Sequence, residues 1–92
     1  MAKEKIGFKY RDRFIQLGIA VSTLRKLHGM SQEQLAEKTE ISRSHLSAIE
    51  APGMVRAFSM EVFFNIAAAL DISPSELLSV SLFSDILPGK YE

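Results

Sequence analysis

The sequence predicts an all-α domain, a compact arrangement of five helices, and three observations carry that prediction. Apolar residues recur at the helical period rather than in strand-like alternation over most of the chain. Serines of N-cap type stand just ahead of four apolar runs, at Ser31, Ser42, Ser59 and Ser73. Chain breakers separate the runs, notably Gly29 and the "APG" at 51–53. With 92 residues, 47% hydrophobic and 24% charged, the chain has the size and composition of one globular domain with a real core.

The first helix is expected from about Tyr10 to His28, where Phe14, Leu17, Ala20/Val21, Leu24 and Leu27 form one stripe. Gly29 supplies its C-terminal stop, and His28 is placed to interact with the carbonyl end. Ser31 caps the second helix, and Gln34 completes an S-x-x-Q capping box. Leu35 and Ala36 are its inward residues. Thr39, Glu40 and Ile41 form a short hinge before Ser42 caps a third helix, which runs through about Glu50 with Leu46 and Ile49 inward. Ser59 caps a fourth, whose Val62, Phe63, Ile66, Ala67 and Leu70 are spaced for burial. The "SPSE" at 73–76 is the strongest start in the chain. Ser73 caps, Pro74 takes the first helical position, and Glu76 reaches back, so a fifth helix follows through about Val80.

This reading divides the chain into a basic N-terminal extension (1–13), a five-helix domain (14–80) and an apolar C-terminal tail (81–92). The stretch "LSVSLFSDILPGKYE" holds more apolar surface than such a domain needs at its end. It is expected either to fold back over its own core or to serve as a dimerisation element.

Charge and composition exclude several classes. Cysteine is absent, which removes disulfides and thiolate zinc sites and suits a reducing compartment. The opening "MAKEKIGFKYRDRF" has no signal-peptide core, and no apolar run approaches the roughly 20 residues that span a bilayer, so a cytoplasmic protein without membrane attachment is expected. His28 and His45 have no ligand-like neighbours at metal-site spacing. No phosphate-binding glycine loop or nucleophile elbow occurs, so no enzyme activity, catalytic residue, metal or cofactor is expected. Net charge is +0 but uneven: residues 1–30 carry Lys3, Lys5, Lys9, Arg11, Arg13, Arg25 and Lys26 against Glu4 and Asp12. The rest of the chain is acidic on balance. Such an asymmetry can still present one positive face.

A tight pair of helices joined by a three- or four-residue turn is the helix-turn-helix, whose second helix can enter the DNA major groove. In "SQEQLAEKTEISRSHLSAIE", Ala36 is small where the two helices cross, and Leu35, Ile41, Leu46 and Ile49 can form a shared apolar wedge. If those face inward, Arg43, Ser44 and Ser47 turn outward together near the start of the recognition helix. Arginine can pair bidentately with guanine, and serine hydroxyls are tolerant partners for base edges. Gln32 opens the second helix, where free N–H groups and the dipole favour a phosphate.

From about Leu17 to Leu78 the chain resembles the Cro and phage-repressor helix-turn-helix family, also called the XRE family. The matching runs are "LRKLHGMSQEQLAEKTEISRSHLSAIE" and "FFNIAAALDISPSELL", about two thirds of the chain. The resemblance implies a lambda-repressor-like fold with the helix-turn-helix at its second and third helices. It also implies DNA contacts by Gln32 to phosphate, and by Arg43, Ser44 and Ser47 to bases or phosphates. Ala48 matches a position that often contacts DNA, where its methyl could touch a thymine methyl. His45 lies on the same helix, with DNA contact and helix packing both open. Arg25 and Glu50 match a structural ion pair linking the first helix to the end of the recognition helix.

Three departures stand out. Glu40 occupies the turn position where the family usually has a glycine at positive φ. The loop "APGMVRAFS" offers only Arg56 as a cation for the DNA backbone. Both chain ends lie outside the family core. The resemblance thus implies a transcriptional regulator that binds double-stranded operator DNA, expected to be a homodimer and a repressor on a near-palindromic site. The rival expectation is a protein-interaction module on the same fold, with a protein partner in place of DNA.

Overall fold

The computed structural model describes residues 10–51, 53 and 57–83. Among these, five helices follow one another without a strand: α1 (Arg11–Leu27), α2 (Gln32–Thr39), α3 (Arg43–Glu50), α4 (Met60–Ala69) and α5 (Pro74–Phe83). The basic extension ahead of Tyr10, Arg56 and the tail beyond residue 83 lie outside the described residues. The fifth helix runs three residues past the expected Val80, into the stretch read as tail.

Serine oxygens start four of the helices. Ser31 Oγ accepts the Gln34 backbone N–H at 3.1 Å while Gln34 Oε1 accepts the Ser31 N–H at 2.8 Å, a complete capping box. Ser42 accepts from His45 at 2.9 Å and Ser59 from Val62 at 3.1 Å. Ser73 and Glu76 close a second reciprocal box at 3.0 and 3.1 Å, with Pro74 as the first helical residue. Each such cap satisfies backbone donors that the helix leaves open and stabilises by about 1 kcal/mol.

Three helices end alike. A residue at positive φ follows α1, α2 and α4, namely Gly29 (φ 70°), Glu40 (φ 61°) and Asp71 (φ 56°). The next N–H then reaches back to a last-turn carbonyl: Met30 to Arg25 at 3.1 Å, Ile41 to Ala36 at 3.1 Å, Ile72 to Ala67 at 3.0 Å. Those three donors carry apolar side chains that all pack against the core. This is the Schellman ending, in which the left-handed residue turns the chain and the following hydrophobe anchors it. Glycine occupies the left-handed position without penalty, aspartate with little, and glutamate at about 1–2 kcal/mol. Glu40→Gly should therefore raise stability by about 1 kcal/mol, seen as a melting temperature higher by about 4–8 °C. An unchanged or lower melting temperature would show that the turn holds Glu40 without strain.

The core forms where these helices meet. Val21, Leu35, Leu46, Ile66, Leu70 and Leu77 are all but inaccessible, and Ala20, Ala36, Phe63 and Ala67 complete the cluster. α1 packs against α3 and α5, α2 against α3 and α4, and α4 against α5. Burying each large aliphatic side chain contributes about 1.5–3 kcal/mol. The expected α1 stripe departs from this at its last member, because Leu27 is 77% exposed. The periodicity continues to that residue, but α1 ends there and its Schellman turn sends Met30 inward instead.

Of the aromatic residues, Phe63 is buried and Phe64 is half-exposed, their rings 5.7 Å apart. Phe58 leads into α4 and packs edge-to-face on Phe14 of α1 at 5.7 Å. Phe14, Leu17, Phe58, Met60, Phe63 and Leu78 line an apolar groove of about 190 Å³. No described helix is long and apolar enough to cross a membrane.

Candidate nucleic-acid interface

The hinge between α2 and α3 spans Glu40, Ile41 and Ser42, and each residue has a separate task. Glu40 turns the chain through its left-handed conformation, Ile41 plugs into the core, and Ser42 caps α3. Thr39 ends α2 with its hydroxyl donated back to the Leu35 and Ala36 carbonyls at 2.9 and 3.2 Å. Its polar group is thereby satisfied although the residue is buried. Ala36 and Leu35 on α2, with Leu46 and Ile49 on α3, are buried, so the apolar wedge sets how the two helices cross.

α3 consequently shows one exposed edge. Arg43, Ser44 and Ser47 are exposed and their side chains make no hydrogen bond within the described residues. They are free to meet an outside partner. The other two expected contacts on this helix are placed differently. Ala48 is only 9% exposed, so it offers an outside partner far less surface than Arg43, Ser44 or Ser47. His45 is half-buried, and its Nε2 is buried without a hydrogen-bond partner, so this nitrogen is directed into the protein rather than to a base edge. Both residues alternate onto the packed side of a short helix, where burial rather than polarity decides their neighbours.

The end of α3 is tied to α1 by the Arg25–Glu50 pair. Arg25 donates from Nε to Glu50 Oε2 at 2.8 Å and from Nη2 to Oε1 at 3.0 Å, a bidentate pair. Its Nη1 donates to the Met30 carbonyl at 2.7 Å, which also holds the turn leading into α2. Both residues are buried, at 8% and 6% exposure. Arginine suits this site because its planar fork satisfies a carboxylate and a carbonyl together. Arg25 is thus a structural cation, with its charge paired to Glu50 and three of its five N–H donors bonded inside the protein.

Gln32, the first residue of α2, joins the same network by donating from Nε2 to Glu50 Oε1 at 3.0 Å. An amide nitrogen carries two N–H groups, so one remains for an external acceptor. The start of α2 is therefore locked to the end of α3 through one carboxylate. A further contact sets the spacing from α1, and sequence periodicity did not reveal it. Gly18 lies against α3 so closely that a Cβ there would stand 2.0 Å from the Ile49 carbonyl oxygen. The available signal was a lone glycine inside a long helix, which costs about 1 kcal/mol relative to alanine and so calls for a packing reason.

An exposed helix edge carrying an arginine and two serines, held by a buried wedge and a buried ion pair on a capped partner helix, defines a helix-turn-helix DNA-binding domain of the Cro and repressor type. The helix-turn-helix family model matches residues 21–77, and the chain belongs to that family. Among solved structures, the chain is similar to the restriction-modification controller protein C.AhdI from Aeromonas hydrophila. The two share 34% identity with a TM-score of 0.64, over 70% of this chain and 94% of that one. No curated protein matches the chain by sequence at a significant level. The protein is a DNA-binding transcription regulator of the helix-turn-helix family.

Proposed function

We propose that this regulator is a sequence-specific repressor that occupies a near-palindromic operator as a homodimer, each α3 lying in one major-groove half-site. The observation that carries the reading is the exposed Arg43–Ser44–Ser47 edge on a helix whose far end is clamped by Arg25 and Glu50. Arg43 reads a base near the start of α3, Ser44 and Ser47 contact bases or phosphates, and Gln32 gives its second N–H to a phosphate. Two-fold symmetry then sets the half-sites about 34 Å apart, or a multiple of that. The apolar groove at Phe14, Phe58, Met60 and Leu78 supports a second copy, since no α3 residue lines it. Such a dimer leaves both recognition helices clear. The reading assigns the protein no catalytic chemistry and places its action in the cytoplasm, where operator DNA lies.

The test is fluorescence anisotropy with a randomised duplex pool at two salt concentrations, together with sedimentation of the selected complex. A palindrome enriched in a salt-sensitive way, bound by two copies, supports the reading. Binding by a single copy would remove the homodimer, and no binding at low salt by folded protein would point to a protein partner instead. On the selected operator, Arg43→Ala should cost about 1–3 kcal/mol per half-site and relax the preference at one base pair in each. Equal loss on operator and unrelated duplex would instead make Arg43 a phosphate contact.

A further inference from the structure

Helix α1 carries a second stripe besides the one that faces the core. Ile19, Ser22, Thr23 and Lys26 stand at i, i+3, i+4 and i+7, the spacing of one helix face. Ile19, Thr23 and Lys26 are exposed and Ser22 is half-buried. The stripe forms one wall of an open cleft of about 410 Å³, and Gln32, Ser47 and Glu50 contribute to the other. The cleft thus joins α1 to both helices of the DNA-binding unit.

Its chemistry suits an anion. Among the described residues Glu50 is the one acidic residue in the lining, and its two oxygens are already taken by Arg25 and Gln32. With that carboxylate neutralised by Arg25, the Lys26 ammonium is the uncompensated charge among the described residues of the cleft. Lys26 has no ion pair within the described residues. The hydroxyls of Ser22, Thr23 and Ser47 and the second N–H of Gln32 are donors not used internally. A single positive charge ringed by hydroxyl and amide donors fits a tetrahedral phosphate better than a planar base edge.

We propose that this cleft seats one phosphodiester of the bound duplex, with Lys26 as its charge partner and Ser22, Thr23, Ser47 and Gln32 as hydrogen-bond donors. The proposal rests on the DNA-binding reading and adds α1 to the interface. The backbone is then held between α1 and α3, so a residue that touches no base fixes how α3 sits in the groove.

The test uses the full chain, the selected operator and an unrelated duplex, over 50–200 mM salt. Neutralising one phosphate contributes a slope of about 0.9 in log affinity against log salt. Lys26→Ala removes one such contact from each copy of the bound dimer, so it should lower affinity for both duplexes by the same factor, about 25-fold to 100-fold near 0.1 M salt, and flatten the slope by about 1.8. Lys26→Arg should restore most of the affinity. Lys38→Ala, which removes an exposed lysine of α2 that does not line the cleft, should change neither quantity. Operators carrying a single neutral methylphosphonate should include one position in each half-site that weakens wild type but not Lys26→Ala. Wild-type affinity and slope in Lys26→Ala, with Arg43→Ala still impaired, would overturn the cleft assignment and leave the DNA-binding reading standing. Absence of duplex binding by the wild type would remove both.

Discussion

Arg25→Ala is expected to lower the unfolding free energy by about 3–5 kcal/mol, because it leaves the Glu50 carboxylate buried without its counter-ion. Against the about 5–15 kcal/mol that holds an ordinary domain together, this is the largest single-residue effect on charge that the structure predicts. The loss has three parts. The bidentate contact disappears, the Met30 carbonyl loses its donor, and Gln32 is left as the sole side-chain donor to Glu50 among the described residues. Lysine should restore only part, since a single ammonium cannot serve both carboxylate oxygens and the carbonyl in one plane. Urea unfolding of Arg25→Ala, Glu50→Leu and the double variant forms the measurement. The double variant should be more stable than the sum of the single losses predicts, because it strands neither charge. Strictly additive losses would mean that the pair is solvated and contributes little as a pair.

Gly18→Ala should destabilise the protein by about 1–3 kcal/mol, although alanine is the better helix former. The new Cβ would stand 2.0 Å from the Ile49 carbonyl oxygen and 3.1 Å from its carbon, and backbone atoms have no rotamer by which to escape. Either α1 or α3 has to move. In an open helix position the same change would stabilise by about 1 kcal/mol, so the sign of the effect separates the two situations. Because α3 carries Arg43, Ser44 and Ser47, Gly18→Ala should also weaken DNA binding at temperatures where the variant is still folded. Thermal unfolding and duplex anisotropy on the same sample check both parts. A variant more stable than wild type would show that α1 and α3 can separate freely.

Arg25–Glu50 and Gly18 lie at the same junction of α1 with α3, and only the ion pair is legible in the chain. A family resemblance pairs Arg25 with Glu50, and two hydrogen bonds give that pair its geometry. Gly18 carried no such mark. Its reason lies in a carbonyl 31 positions further along the chain, a contact that no local pattern encodes. Glu40 falls between these cases: the resemblance pointed to a left-handed turn, and the φ of 61° gives that residue its conformation.

The exposed edge of α3 shows where periodicity stops being sufficient. Helical spacing separates Arg43, Ser44 and Ser47 from Leu46 and Ile49, and the structure keeps that separation. It does not decide the boundary residues His45 and Ala48, which sit at the margin between the two faces. There the approach of neighbouring helices determines exposure, and both are drawn toward the protein. Leu27 fails in the opposite sense, since it continues an apolar stripe beyond the point where the core ends.

By itself the sequence determined the helices, their serine caps, their stops and the outward arginine of the hinge unit. These are properties of a few neighbouring residues, set by hydrogen bonds across three or four positions and by a repeat of 3.6. Only the tertiary structure decided that Gly18 lets α1 close on α3, that Gln32 shares a carboxylate with Arg25, and that Lys26 faces a cleft with Ser47. Those relations join residues 18 to 49, 32 to 50 and 26 to 47, and they exist only once packing has brought three helices together.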